Sequence, residues 1–125
     1  MFKAQGAAGP GAVAEDEALR WLLQRGLTLV QRNYRVAHGP YARGGEIDLV
    51  MRAADGTLVF VEVRARSSRA HGGAAASVSA SKQRSLRLAA QHFLLQYASP
   101  PPCRFDVLAI DAGQVQWLQA AFDGA

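Results

Sequence analysis

Hydrophobic and polar positions along the chain fall into blocks with two different periods. Over residues 13–25 the apolar residues Ala14, Ala18, Trp21 and Leu22 recur at helical spacing, and Gly26 offers a stop. Glu15, Asp16 and Glu17 are expected in the first turn of that helix, where its dipole favours acids. Residues 27–36 read as a strand ending in Asn33-Tyr34-Arg35, and 38–45 as a Gly/Pro/Arg loop. Residues 46–52 and 57–65 are two further strands, joined through Ala53-Ala54-Asp55-Gly56, whose Asp-Gly pair suits a hairpin turn. The small, polar and Gly-rich residues 67–79 predict a mobile loop.

A long helix is expected over residues 81–97. Leu86, Ala89, Ala90, Phe93, Leu94 and Tyr97 form its apolar stripe, Lys82, Arg84 and Arg87 crowd its first half, and Ser99-Pro100-Pro101-Pro102 closes it. Residues 104–111 are another strand, and 114–118 a short last one. No internal repeat interrupts this order. Helix, three strands, helix and one or two strands predict an α/β sandwich with a mixed sheet. Residues 1–12, rich in Gly, Ala and Pro, read as a disordered tail, leaving 13–125 as one domain.

Composition narrows the picture. The 125 residues, half of them hydrophobic, suffice for a single core. Fourteen Lys and Arg against ten Asp and Glu give a net charge of +4, which favours polyanionic partners only weakly. Cys103 is the sole cysteine, so no intrachain disulfide is possible, and the chain shows no sign of secretion. No apolar run is long enough to span a bilayer, and the N-terminus lacks the apolar block of a signal peptide. A cytoplasmic location without membrane partners is therefore expected.

The unusual feature is charge inside two strands. Glu46 and Asp48 interrupt Gly-Glu-Ile-Asp-Leu-Val, and Glu62 and Arg64 interrupt Val-Phe-Val-Glu-Val-Arg-Ala-Arg. Residues two apart on a strand share a face, so each pair is expected to point one way. In a hairpin, Asp48 and Glu62 would stand side by side with Arg64 adjacent. An ionised carboxylate in a dry interior costs several kcal/mol unless it is paired or binds a cation. Converging carboxylates make a hard-oxygen site suited to Mg²⁺ or Mn²⁺.

These motifs occur in a characteristic order. Gly11-x-x-x-Glu15 on the first helix precedes Gly45-Glu-Ile-Asp-Leu-Val50, then Phe60-Val-Glu-Val-Arg-Ala-Arg66, Lys82-Gln-Arg84 opening a helix, and Arg104-Phe-Asp-Val107. Over roughly residues 11–111 the chain resembles the YraN-like family, uncharacterised bacterial proteins of the restriction-endonuclease-like superfamily, near archaeal Holliday-junction resolvases. The resemblance implies a three-layer sandwich with a mixed central sheet flanked by helices. It also implies a metal-dependent nuclease acting on structured DNA such as junctions, flaps or ends. By it, Asp48 and Glu62 are the two acids of the PD-(D/E)xK signature, Glu15 the helix acid that helps hold metal, Glu46 the supporting acid, and Gln83 the polar residue of the following helix. Junction-cutting relatives imply a homodimer by analogy alone.

Two positions depart from the pattern. Ala14 stands where the family tends to have Gly. Arg64 stands where the signature has Lys, and arginine cannot lose its proton to serve as a base, although it binds phosphate well. The alternative is thus a non-catalytic nucleic-acid-binding module on the same scaffold, with an adaptor lacking any nucleic-acid role as a third class. Arg64, Arg66, Arg69, Lys82, Arg84 and Arg87 flank the acids and are expected to contact phosphates without reading bases. His38, His71 and His92 share no ligand spacing, so no zinc site is expected. Asp106 reads as structural and paired with an arginine, Cys103 as a buried or inert thiol, and Trp21, Phe93 and Tyr97 as core. A plain solvated sheet face with cross-strand ion pairs is the unspecific explanation for Glu62 and Arg64.

Overall fold

A computed structural model describes residues 10–37, 44–66, 78–111 and 113–124. The elements run α1 (Pro10–Gln24), β1 (Thr28–Val36), β2 (Gly45–Arg52), β3 (Leu58–Arg66), α2 (Ala80–Leu94), β4 (Cys103–Asp111) and β5 (Gln114–Phe122). The strands form one sheet in the order β1-β2-β3-β4-β5. All neighbours are antiparallel except β3 and β4, which run parallel and are joined by the α2 crossover. The α/β class and the mixed sheet match expectation. Residues 1–9 of the expected tail and the loop residues 38–43 and 67–77 lie outside the described residues, as do Arg69, His38 and His71, whereas residues 10–12, read as tail, belong to α1.

The helices cover opposite faces, so the molecule has three layers. On one face Ala14, Ala18 and Leu22 of α1 pack on Leu49, Met51, Val59, Val61, Leu108 and Ile110. On the other, Leu86, Ala89, Ala90 and Phe93 of α2 pack on Ile47, Val50, Leu58, Phe60 and Phe105. Both helical stripes were readable from the 3.6-residue period. β4, an interior strand covered on both sides, is buried from Phe105 to Ile110, a run that is apolar except at Asp106.

Several boundaries differ from the sequence reading for local reasons. α1 begins at Pro10, three residues earlier than expected, so its first turn holds no acid and Glu15 lies in the second. Pro10 suits a first helical position because the missing N–H would go unbonded there. α2 ends at Leu94 rather than Tyr97. Leu95, Gln96 and Tyr97 donate their N–H groups to His92, Phe93 and Leu94, three residues back, which tightens the chain out of the α-helix before the prolines are reached. β5 continues to Phe122 instead of stopping at 118. The β2–β3 turn is the expected hairpin, with Gly56 at φ +93° and Thr57 N–H donating to Asp55 Oδ1 at 3.0 Å.

Asp106 is fully buried and fully engaged. It accepts from Arg104 Nε at 3.0 Å, Trp117 Nε1 at 2.9 Å and Ala120 N at 2.9 Å, tying β5 to β4 across a bulge where Ala120 has φ +50°. This is the structural role expected of it. Cys103, expected to be buried or inert, is exposed at the start of β4, and partial desolvation raises its pKa, which lowers the share of thiolate.

Gly45 fixes the distance between α2 and the sheet. A Cβ there would lie 2.4 Å from Ser85 O and 3.0 Å from Ala89 N, both backbone atoms that cannot swing aside. Gly45→Ala is therefore expected to cost about 1–3 kcal/mol of stability, read from urea unfolding. Parental stability in that variant would show that α2 is not held this closely.

Candidate functional site

The sheet opens between β2 and β3. Their ladder pairs Arg52 with Leu58, Met51 with Val59, Val50 with Phe60 and Leu49 with Val61, then stops. One more step in that register would set Asp48 directly opposite Glu62. Like charges facing each other across strands are destabilising, and from this point β2 stays with β1 while β3 stays with β4. The Asp48 carboxylate enters the opening: its Oδ2 accepts the Val63 N–H at 2.8 Å, taking over the hydrogen bond that the missing strand neighbour would have made.

A cavity of about 260 Å³ lies at this opening, lined by Gly11, Ala14 and Glu15 from α1, Asp48 from β2, Glu62, Val63, Arg64 and Ala65 from β3, and Lys82 from α2. Five of the residues singled out from sequence therefore converge. Glu62 is only 2% exposed. Its Oε2 is approached by Arg64 Nη1 at 3.4 Å and Lys82 Nζ at 3.7 Å, whereas its Oε1 is buried with no hydrogen-bond partner. Burial, followed by the charge of Asp48, pushes the Glu62 pKa up to about 8, with Lys82 and Arg64 pulling the other way. Glu15 is raised too, by burial and by Asp48, against the lowering effects of Arg32 and of a hydrogen bond with the Asn33 side chain. Among the described residues no three His, Cys, Asp or Glu side chains are drawn tightly enough to form a ready-made metal cluster. The acids line the cavity wall without closing into a cage.

The remaining predicted residues lie elsewhere. Glu46 and Asp48 were expected on one face, yet they line different cavities. Glu46 faces Arg35 at 3.4 Å in a neighbouring cleft with Gly44, Gly45 and Ser85. The two-residue alternation breaks at Asp48: Ile47 packs under α2, Leu49 under α1. Opposite the break the ladder skips Asn33, whose φ is +51°. Gln83 donates through Nε2 to Val78 O at 3.3 Å and so braces the start of α2. Arg84 lines a shallow cleft with Ser81, Ser85 and Leu88, and Arg87 donates to Asp123 O at 3.2 Å. Arg66 closes β3. His92 is exposed and hydrogen-bonded to the Tyr34 hydroxyl through Nδ1.

Two residues escaped the sequence reading. Arg32 on β1 holds Asp16 at 2.8 Å and Glu15 at 3.7 Å, so the helix acid is oriented by a cation rather than by a helix dipole. Asn33 beside it kinks β1. An Asn inside a strand, the residue type most tolerant of positive φ after Gly, was the available signal.

Folded Glu62 keeps its proton to a higher pH than the unfolded chain, which releases it near the ordinary value of 4.5. The native state thus binds more protons between that value and about 8, and stability falls as pH rises through the interval. Urea unfolding is expected to show this slope in the parent and a flatter profile in Glu62→Gln. Equal slopes in both would remove Glu62 as its source.

Comparison with known proteins bears on the family. The description "Uncharacterised protein family UPF0102" matches residues 14–110. A UPF0102 protein of Methylibium petroleiphilum is 63% identical over 115 residues, spanning 92% of this chain and 94% of that protein. One from Cupriavidus necator is 61% identical over 113 residues, covering 90% and 82% of the two chains, and one from Albidiferax ferrireducens is 59% identical over 113 residues, covering 90% and 86%. With the match spanning every element from α1 to β4, the chain belongs to the uncharacterised UPF0102 family, the YraN-like proteins that its motif order resembles.

Proposed function

We propose that the protein is a divalent-metal-dependent nuclease-like protein of the cytoplasm that acts on structured DNA, with its site at the β2–β3 opening. The observation that carries this reading is the Glu62 carboxylate, buried beside Asp48 with Oε1 unpartnered. A fold seldom leaves a buried carboxyl oxygen unsatisfied, because its desolvation costs free energy that nothing in the protein returns. A hard cation is the partner that fits. Oxygen donors suit Mg²⁺ or Mn²⁺, and a dication between Asp48 and Glu62 would relieve the repulsion that raises the Glu62 pKa. Asp48 and Glu62 would hold the ion, with Glu15 supporting from the cavity wall. When bound, such an ion would activate water and neutralise charge on a phosphate.

The chain's own residues supply the rest. Val63 N–H anchors the Asp48 carboxylate through Oδ2 at the wall of the cavity. Arg64, at the mouth of the cavity, would clamp the scissile phosphate through charge-assisted hydrogen bonds. Arg66, the last residue of β3, is proposed as a further phosphate contact. These contacts are sequence-independent, which favours recognition of DNA shape or ends.

Asp48→Asn keeps an acceptor for Val63 N–H but removes the charge. Mn²⁺ affinity, by calorimetry, and cleavage of a labelled panel of four-way junction, flap and duplex DNA are both expected to fall by about 100-fold or more, with the unfolding transition unchanged. Parental cleavage by this variant, free of host nucleases, would overturn the reading. Salt-sensitive DNA binding with no turnover in the parent would instead favour the non-catalytic module, for which Arg64 in place of lysine is the relevant observation.

A further inference from the structure

Lysine 82 was expected on the basic flank of α2, among residues that track a nucleic-acid backbone. It lines the cavity itself. The first turn of α2 fixes its position: Ser79 caps the helix by accepting the Lys82 N–H through Oγ at 3.1 Å, and Gln83 braces the same turn against Val78. From there the flexible stem reaches the sheet opening and brings Nζ to 3.7 Å from Glu62 Oε2. That separation is an ion pair longer than a hydrogen bond, so the ammonium faces the cavity with donors to offer.

We propose that Lys82 is a phosphate-holding cation of the β2–β3 cavity, receiving a backbone phosphate beside the Asp48–Glu62 pair together with Arg64. This rests on the metal-site reading above and adds a residue and an element to it.

Charge balance supports the assignment. Among the described residues lining the cavity, Glu15, Asp48 and Glu62 oppose Arg64 and Lys82, leaving one negative charge when all are ionised. A dication reverses that to one positive charge. A single phosphodiester, which carries one negative charge, then brings the loaded cavity to neutrality. Without Lys82 the metal alone would neutralise it, and an entering phosphate would be left in excess. A buried counterion for Glu62 is the simpler role for this lysine, but it becomes redundant once a dication neutralises the acids. The cavity is also large enough, at about 260 Å³, to hold roughly eight water volumes, so a phosphate can enter beside a hydrated ion. α2 approaches the opening from one face and α1 from the other, so two layers of the sandwich meet at one substrate group.

The test uses the full chain with thymidine 3′,5′-bisphosphate, which presents phosphates but has no internucleotide bond to cut. Mn²⁺ is titrated first, then the bisphosphate into Mn²⁺-saturated protein, both by calorimetry, for the parent, Lys82→Met, Lys82→Arg and the surface control Arg20→Met. Lys82→Met is expected to weaken the bisphosphate about 10- to 100-fold, as loss of a charge-assisted contact should. Its Mn²⁺ affinity should stay within about threefold of the parent, Lys82→Arg should recover most of the loss, and Arg20→Met should change neither titration. Lys82→Met binding the bisphosphate as tightly as the parent overturns the proposal and leaves the metal site standing. So does a parent that binds Mn²⁺ but no bisphosphate. A parent that binds no Mn²⁺ overturns the metal-site reading, and this inference with it. Lys82→Met that melts far below the parent would assign the lysine to folding, unless Lys82→Arg, which keeps the charge, restores both stability and binding.

Discussion

The parting of β2 from β3 is the constraint on which the rest of the structure depends. Two carboxylates that would face each other in a continuous ladder stand where the ladder ends, and one of them turns in to satisfy the first backbone N–H the parting exposes. A sheet can tolerate such an opening only if its other strands are secured independently. β3 and β4 pair without interruption from Leu58 with Cys103 to Arg66 with Asp111. β1 carries β2 away on the other side, with a bulge near Leu29 and the kink at Asn33 adding the twist that separates the strands. The opening is therefore a property of the whole sheet.

Each helix then contributes at the opening through its N-terminal half. α1 is drawn to the sheet by Ala14, Ala18 and Leu22, small enough at its N-terminal end to bring Glu15 close, and Arg32 holds that acid from below. α2 is seated by Gly45, where no side chain could be accommodated, and its capped first turn delivers Lys82. Packing and site geometry are linked here: the small residues that allow close approach of helix and sheet are the same ones that bring charged groups from two layers within reach of one cavity.

Much of this was legible in the sequence, and the failures have identifiable causes. The strand and helix periods located every element described, and the isolated charges in two apolar runs located the acids that line the opening. Side-by-side placement of Asp48 and Glu62 followed from hairpin register alone. The shared face of Glu46 and Asp48 did not survive, because strict alternation assumes a regular ladder and the left-handed Asn33 breaks it. Glu15 was explained by a helix dipole, since the true start of α1 at Pro10 was hidden in a Gly/Ala-rich segment that composition alone assigns to a tail. Lys82 was read as one of several basic residues on a helix. Helical spacing gives the face of a residue, but not how far a four-carbon stem reaches around the end of a sheet.

Among the described residues two acids are buried, and they differ in how far the fold satisfies them. Asp106 is wholly enclosed and receives three donors, from Arg104, Trp117 and the backbone of Ala120, so both its oxygens are engaged and its charge serves to lock β5 onto β4. Glu62 is nearly as deeply buried, yet one oxygen has no hydrogen-bond partner, the other is shared between two distant cations, and a second carboxylate presses on it. Burial of a carboxylate is tolerable when the fold itself completes the coordination, as around Asp106. Where the fold stops short, selection for stability alone would favour an apolar residue or a third donor. Among the described residues, Glu62 is the buried acid that the fold leaves incomplete, and it stands where the β2–β3 ladder stops. The same comparison explains why composition could not separate the two: both acids sit within apolar strand sequences, Phe-Asp-Val and Val-Glu-Val, and only the donors brought by distant elements tell them apart.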